Sequence, residues 1–222
     1  MNNSLLRAGF TRMETLIAVV VLGALGVGLV SASDVNLRMV RLAQAKTVFS
    51  QWATACTLYK KEYGAYLPNL GGSYSASRDV LHRLDDSGRS LIFVKHLYGK
   101  NLDGSALSGG STGERVRFNR QAIELCTFSP KDFLNYSASD DSWLRNPQLQ
   151  DAFGNTAIRV CFDLNNDGLI SDLDGILPDQ ILSAGTPSGI PGRVMIFTTY
   201  RDLGQGNPKL DAKDAADIVV IQ

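Results

Sequence analysis

Arg7-Ala8-Gly9-Phe10-Thr11-Arg12-Met13-Glu14 leads directly into an uncharged apolar stretch over 15–33. That stretch is about as long as a helix needs to cross a bilayer. Glu14 stands just inside its start. A carboxylate carried into hydrocarbon costs at least ~2.5 kcal/mol on insertion scales, so it needs a partner. A free α-amino group at Phe10, made by cutting after Gly9, would supply one. An ordinary secretory signal fits less well. Arg7 and the apolar run suit it, and Val30-Ser31-Ala32 passes for a small-residue cut site. The run is nevertheless long for such a signal, and Gly9-Phe10 precedes it where a cut site should follow. A plain single-span anchor explains the apolar run and leaves Glu14 without a reason.

Beyond the run, no glycine or proline occurs from Asp34 to Tyr63. Val40, Leu42, Ala45, Val48, Phe49, Trp52, Cys56 and Tyr59 recur mainly at spacings of three and four, which marks one apolar stripe on a helix. The stripe continues from the apolar run, so the pattern predicts one helix over 11–63. Gly64 and then Pro68 stop it. Further on, 76–84 and 90–98 are expected to be short helices, and the Gly- and Ser-rich stretch 101–113 a loop. The β-branched and aromatic segments 115–118, 158–162, 193–200 and 218–221 are expected to be antiparallel strands laid across the long helix. The fold class is therefore α+β.

Composition narrows the function classes. The 222 residues leave room for one globular domain after a membrane-length helix is set aside. Twenty-two basic and 22 acidic residues cancel, so no basic excess points to nucleic acid. Removing 1–9 takes away Arg7 and leaves the remainder slightly acidic. The three cysteines, Cys56, Cys126 and Cys161, form no CxxC pair, which argues against structural zinc. Outside the cytoplasm Cys126 and Cys161 could form a disulfide and leave Cys56 over; three buried reduced thiols is the other reading. The two histidines, His82 and His96, have no accompanying cluster. There is no nucleophile elbow, HExxH or glycine-rich phosphate loop, and the chain is not expected to be an enzyme.

The sharpest chemical pattern is Asp163-Leu164-Asn165-Asn166-Asp167-Gly168-Leu169-Ile170-Ser171-Asp172-Leu173-Asp174. Oxygen ligands fall at positions one, three and five, glycine at six and a carboxylate at twelve, the arrangement a hard cation such as calcium takes. Asp163, Asn165, Asp167 and Asp174 are the expected side-chain ligands, Leu169 would offer its carbonyl, and Ser171 a water-mediated contact. Ile170 would anchor the loop in the core. The pattern resembles EF-hand-like and dockerin-type loops. The alternative is an Asn/Asp/Gly turn without metal. A second acidic segment, with Asp202, Asp211, Asp214 and Asp217, reads equally well as a solvated loop.

The N-terminal segment resembles that of the type IV pilin and type II secretion pseudopilin superfamily. In that family a dedicated peptidase cuts after a glycine, and the new N-terminal phenylalanine is N-methylated. Those roles fall on Gly9 and Phe10. The family's glutamate, thought to pair with the N-terminal ammonium of a neighbouring subunit, falls on Glu14. Arg12 departs from the pattern, because relatives usually carry an apolar residue there. Gly23 matches a frequent family glycine, whereas Ser31 replaces a frequent kinking proline. Leu58-Tyr59-Lys60-Lys61-Glu62-Tyr63-Gly64-Ala65-Tyr66-Leu67-Pro68 is similar to the end of the long helix in major pseudopilins, with Leu67 inserted before the proline. Asp151-Ala152-Phe153-Gly154-Asn155 is similar to their Asp-Pro-Trp-Gly-Asn turn, and Asp214-Ala215-Ala216-Asp217-Ile218 to their Asp-Ala-Asp-Ile ending.

The resemblance implies a leader over 1–9, a transmembrane and filament-core helix over 10–33, and its amphipathic continuation over 34–63. A globular α+β domain over 64–222 would carry the calcium loop at 163–174. It implies a pilin-like fold and a single-pass protein of the bacterial inner membrane, with the domain in the periplasm or on an extracellular filament. The implied partners are further copies of the chain, other pilin-like subunits, the prepilin peptidase and the inner-membrane assembly platform. A membrane-anchored calcium-binding or adhesion module that does not polymerise is the alternative.

Overall fold

Helix α1 spans Arg12–Tyr63, 52 residues, in a computed structural model that describes residues 12–70, 79–171, 189–198 and 219–222, with side chains given for these except 12–35 and 219. The chain divides into two units, Met1–Val40 and Arg41–Gln222. In the first, the described part is the helical backbone of α1, and the side chains over 36–40 are exposed. Val40, placed on the apolar stripe by its spacing, is 52% exposed.

In the second unit the stripe is realised. Ala45, Phe49, Trp52, Cys56 and Tyr59, spaced alternately by four and three, are all buried, which puts them on one helix face. Leu42 and Val48 flank them, partly buried. The helix ends as its residues predict. Gly64 takes φ 78°, a left-handed conformation that costs a side-chain-bearing residue about 1–2 kcal/mol, and its N–H closes on the Lys60 carbonyl at 2.8 Å.

That face packs on a four-stranded antiparallel sheet. The strands are β1 (Val80–Arg83), β2 (Ile158–Phe162), β5 (Val194–Thr198) and β6 (Val219–Ile221), in the order β1-β2-β5-β6. A separate two-stranded ladder joins β3 (Leu169–Ile170) to β4 (Ile190–Pro191). All five residues of β2 and all five of β5 are buried, so the sheet is covered on both sides. Ile158, Val160, Phe162, Val194 and Ile196 join the α1 core. The alternate residues Cys161, Met195 and Phe197 form a second cluster with Ile170 and Ile190. Tyr66, just past α1, stacks on Phe162 with ring centroids 4.7 Å apart.

Two segments differ from their sequence expectations. The stretch 76–84 was expected to be helical; its described part forms β1, paired with β2 from Val80↔Phe162 to Arg83↔Arg159. Helix begins only at α2 (Ser87–Tyr98), where the Asp86 side chain accepts from the Arg89 N–H at 2.7 Å. That cap fixes the start, and Gly99 ends the helix at φ 68°. A Cβ on Gly99 would lie 2.7 Å from the Ile123 carbonyl oxygen, so the close return of the chain also requires glycine. The stretch 115–118 is not a strand but part of the short helix α3 (Glu114–Phe118). Its alternation of Arg115, Val116, Arg117 and Phe118 imitates a strand, yet Glu114 pairs with Lys95 of α2 and Phe118 turns into the core.

His96 of α2 is fully buried. Its Nδ1 lies 2.5 Å from the Phe118 carbonyl and 3.1 Å from the Tyr59 hydroxyl, and its Nε2 lies 2.7 Å from the Pro68 carbonyl. Burial disfavours the charged ring and outweighs the two carbonyls, which favour it, so the pKa falls from 6.5 to about 4. The unfolded chain therefore binds a proton that the folded chain refuses between these values. This contribution to stability is complete above pH 6.5 and is lost as pH falls toward 4. The expected loss is on the order of 3 kcal/mol. Urea midpoints at pH 7 and pH 4.5 check it: His96→Gln should flatten the acid loss, and an equal loss in both chains would refute it.

Candidate functional site

The loop joining β2 to β3 carries the oxygen-rich sequence, and the sheet presents it. Asp163 directly follows β2, and its N–H bonds the Arg193 carbonyl at 2.9 Å. The chain then reverses through Asn166 (φ 61°) and Gly168 (φ 82°), both residue types that tolerate left-handed backbone. It enters β3, where Ile170 is fully buried, as its anchoring role requires. Four bonds shape the turn. Asp163 Oδ2 accepts from the Gly168 N–H at 3.1 Å and Asn165 Oδ1 from the Asp167 N–H at 3.2 Å. Asp167 accepts from the Leu169 N–H and from Asn165 Nδ2, each at 2.8 Å.

Two side chains distant in sequence fasten this loop. Buried Asp79 accepts from the Leu164 N–H at 2.9 Å, from the Ser171 N–H at 2.9 Å and from Ser171 Oγ at 3.1 Å. It spans the loop from position two to position nine. Ser171 is therefore a bonded partner of Asp79, where its spacing suggested a water-mediated metal contact. Lys60, in the last turn of α1, donates to Asn166 Oδ1 and lies 4.1 Å from the centre of the Tyr66 ring. Partial burial lowers its pKa, with the attraction of Asp163 working the other way and Arg193 adding to the fall. Neither Asp79 nor Lys60 was foreseen. They stand 85 and 106 residues from the loop positions they bond, and no local spacing carries that information.

Asp163, Asn165, Asp167 and Leu169 thus come together in one turn, while Asp174 lies outside the described residues, as do Asp202, Asp211, Asp214 and Asp217. Among the described residues no group of three or more His, Cys, Asp or Glu side chains is placed to hold a metal. What the turn offers is two carboxylates, one amide oxygen and one backbone carbonyl. One atom stands out: Asp163 Oδ1 is buried without a hydrogen-bond partner. Such an atom costs about 1–3 kcal/mol unless something satisfies it.

The other expected site residues fall elsewhere. Gly9 and Phe10 lie outside the described residues, and Glu14 lies in α1 where the side chains are not described. Among the described residues no helix is long and apolar enough to cross a membrane; the side chains of 15–33 are not among them. All three cysteines are free thiols. Cys126 and Cys161, the two expected to be able to pair, carry no bond to each other here. Cys161 faces the second cluster with Met195 and Phe197, while Cys126 packs on the α1 side of the sheet, as does Cys56. Burial raises all three thiol pKa values, that of Cys126 to about 12, which keeps them poor nucleophiles. The turn at Asp151 is built as a turn: Asp151 Oδ1 accepts from the Phe153 and Asn155 N–H groups at 2.8 and 2.9 Å. Asn155 Nδ2 then donates to Thr198 Oγ1 of β5 at 2.7 Å.

Comparison with protein-family models, with curated proteins and with solved structures gives no match to this chain.

Proposed function

We propose that the chain is a structural subunit of a helical filament, a pseudopilin of a type II secretion pseudopilus or a pilin of a type IV-like pilus. The peptidase would cut after Gly9, Phe10 would be N-methylated, and the apolar helix would hold the subunit in the bacterial inner membrane. The assembly platform would then draw subunits into a filament whose core is made of those helices. The observation that carries this reading is the placement of Gly9, Phe10 and Glu14 at the start of a membrane-length apolar run. The architecture supports it: the run lies in the first half of α1, whose later half packs on a four-stranded antiparallel sheet, an arrangement consistent with a pilin-like fold.

The anchored calcium-binding or adhesion module is the second reading, favoured by the oxygen-rich turn after β2. It leaves Glu14 unexplained. N-terminal mass spectrometry of the protein from its native membrane separates the two. A chain beginning at Phe10 and one methyl group heavier than its sequence is expected. A chain beginning at Met1 would remove the filament reading and leave the module.

A further inference from the structure

We propose that the β2–β3 turn is a calcium site in which Asp163, Asn165 and Asp167 bind through their side chains and Leu169 through its carbonyl. The proposal does not depend on filament assembly. Two independent observations carry it. The first is the alternation of oxygen-bearing residues at 163, 165 and 167, followed by Gly168 at φ 82°, which lets a short loop fold its ligands around one point. The second is the state of Asp163. The residue is 1% exposed, and its Oδ2 bonds the Gly168 N–H across the turn, so the carboxylate points into the loop. Its Oδ1 is shut away from water with no hydrogen-bond partner. A bound cation satisfies that oxygen, whereas a mere Asx turn leaves it uncompensated.

The donor set selects the metal. All four donors are hard oxygens, with neither sulfur nor nitrogen among them, which disfavours zinc and copper. Two carboxylates, an amide and a backbone carbonyl make an irregular shell with room for water. Calcium accepts six to eight oxygens in flexible geometry, whereas magnesium demands a near-ideal octahedron. The surroundings are charged on both signs. Lys60 holds Asn166, Arg193 follows the β3–β4 ladder, and Asp79 clamps Leu164 and Ser171. Asp79 has its oxygens engaged by those backbone groups, so it braces the turn without being a ligand. The brace fixes both ends of the turn before metal arrives, which lowers the ordering cost of binding.

The test is a calorimetric titration of the full chain in detergent, stripped of metal by a chelator, with calcium chloride and separately with magnesium chloride. One saturable calcium per chain is expected, with magnesium at least ~10-fold weaker. Asp167 is exposed, and an amide there keeps one oxygen for the Leu169 N–H, so Asp167→Asn should leave the metal-free chain folded with a midpoint close to the parent's and weaken calcium at least ~10-fold. Asp163→Asn should abolish binding at this turn. Calcium bound at another acidic segment would survive both substitutions. Undiminished affinity in Asp167→Asn, equal affinity for the two metals, or no saturable calcium in the parent chain would each overturn the proposal.

Discussion

A Glu14→Ala chain is expected to be cut and methylated normally, to remain in the membrane, and to yield few or no filaments. This outcome follows from the filament reading. Cutting after Gly9 leaves a positive charge at Phe10, and subunit packing would carry that charge into an apolar core. Glu14 is the carboxylate close to it in sequence. A buried pair of this kind contributes little net stability when complete, but removing one partner strands the other and costs about 3–5 kcal/mol. At roughly 1.4 kcal/mol per factor of ten, the loss per subunit contact exceeds a hundredfold in equilibrium terms. The measurement is the ratio of sheared filament to membrane pool, by quantitative immunoblot, beside the mass of the mature N-terminus. Parent-level filament from correctly processed Glu14→Ala chains would sink the pairing role. A chain left uncut would place Glu14 in peptidase recognition.

Trp52→Ala should destabilise the second unit by about 3–5 kcal/mol. Trp52 is 1% exposed and lies at the meeting of three aromatic rings. Its centroid is 5.4 Å from Phe49 one turn earlier, 5.7 Å from Phe93 of α2, and 5.8 Å from Phe128. The Phe93 contact is edge-on, a favoured aromatic geometry. Truncation removes the transfer free energy of the indole and leaves a cavity bounded by rings that α1 and α2 hold apart, so collapse is only partial. Denaturant unfolding of the full chain in detergent, followed by far-ultraviolet circular dichroism, reads the change. A loss below about 1 kcal/mol would mean that the neighbouring rings refill the space.

The long helix was legible because its later half, 34–63, holds no glycine or proline, carries a three–four apolar stripe and ends at a glycine stop, and the apolar run precedes it without a break. β2 and β5 were legible as β-branched and aromatic runs. The sequence misled where local pattern and tertiary context disagree. Val80-Leu81-His82-Arg83 has no period of its own, and pairing with β2 decides its state. Arg115-Val116-Arg117-Phe118 alternates like a strand, yet contact with Lys95 and the His96 pocket winds it into helix. The turn at 163–171 was readable from its spacing. Its support by Asp79 and Lys60 was not, because both reach it from elements far away in the chain. Which cysteines could meet was not legible for a related reason: which side of a sheet a residue faces depends on register, and counting cysteines contains no register.

The β3–β4 ladder sets Leu169 opposite Pro191 and Ile170 opposite Ile190, so these two points of the chain are held side by side. Doubling the length of chain between two points held in this way costs only about 0.6 kcal/mol in closure entropy. The domain can therefore accept cargo there, such as an epitope, a fluorophore-binding peptide or a lineage-specific insertion, without disturbing the pairing of β2 with β5. In an assembled polymer this would place one engineered or evolved appendage on every subunit at a regular repeat.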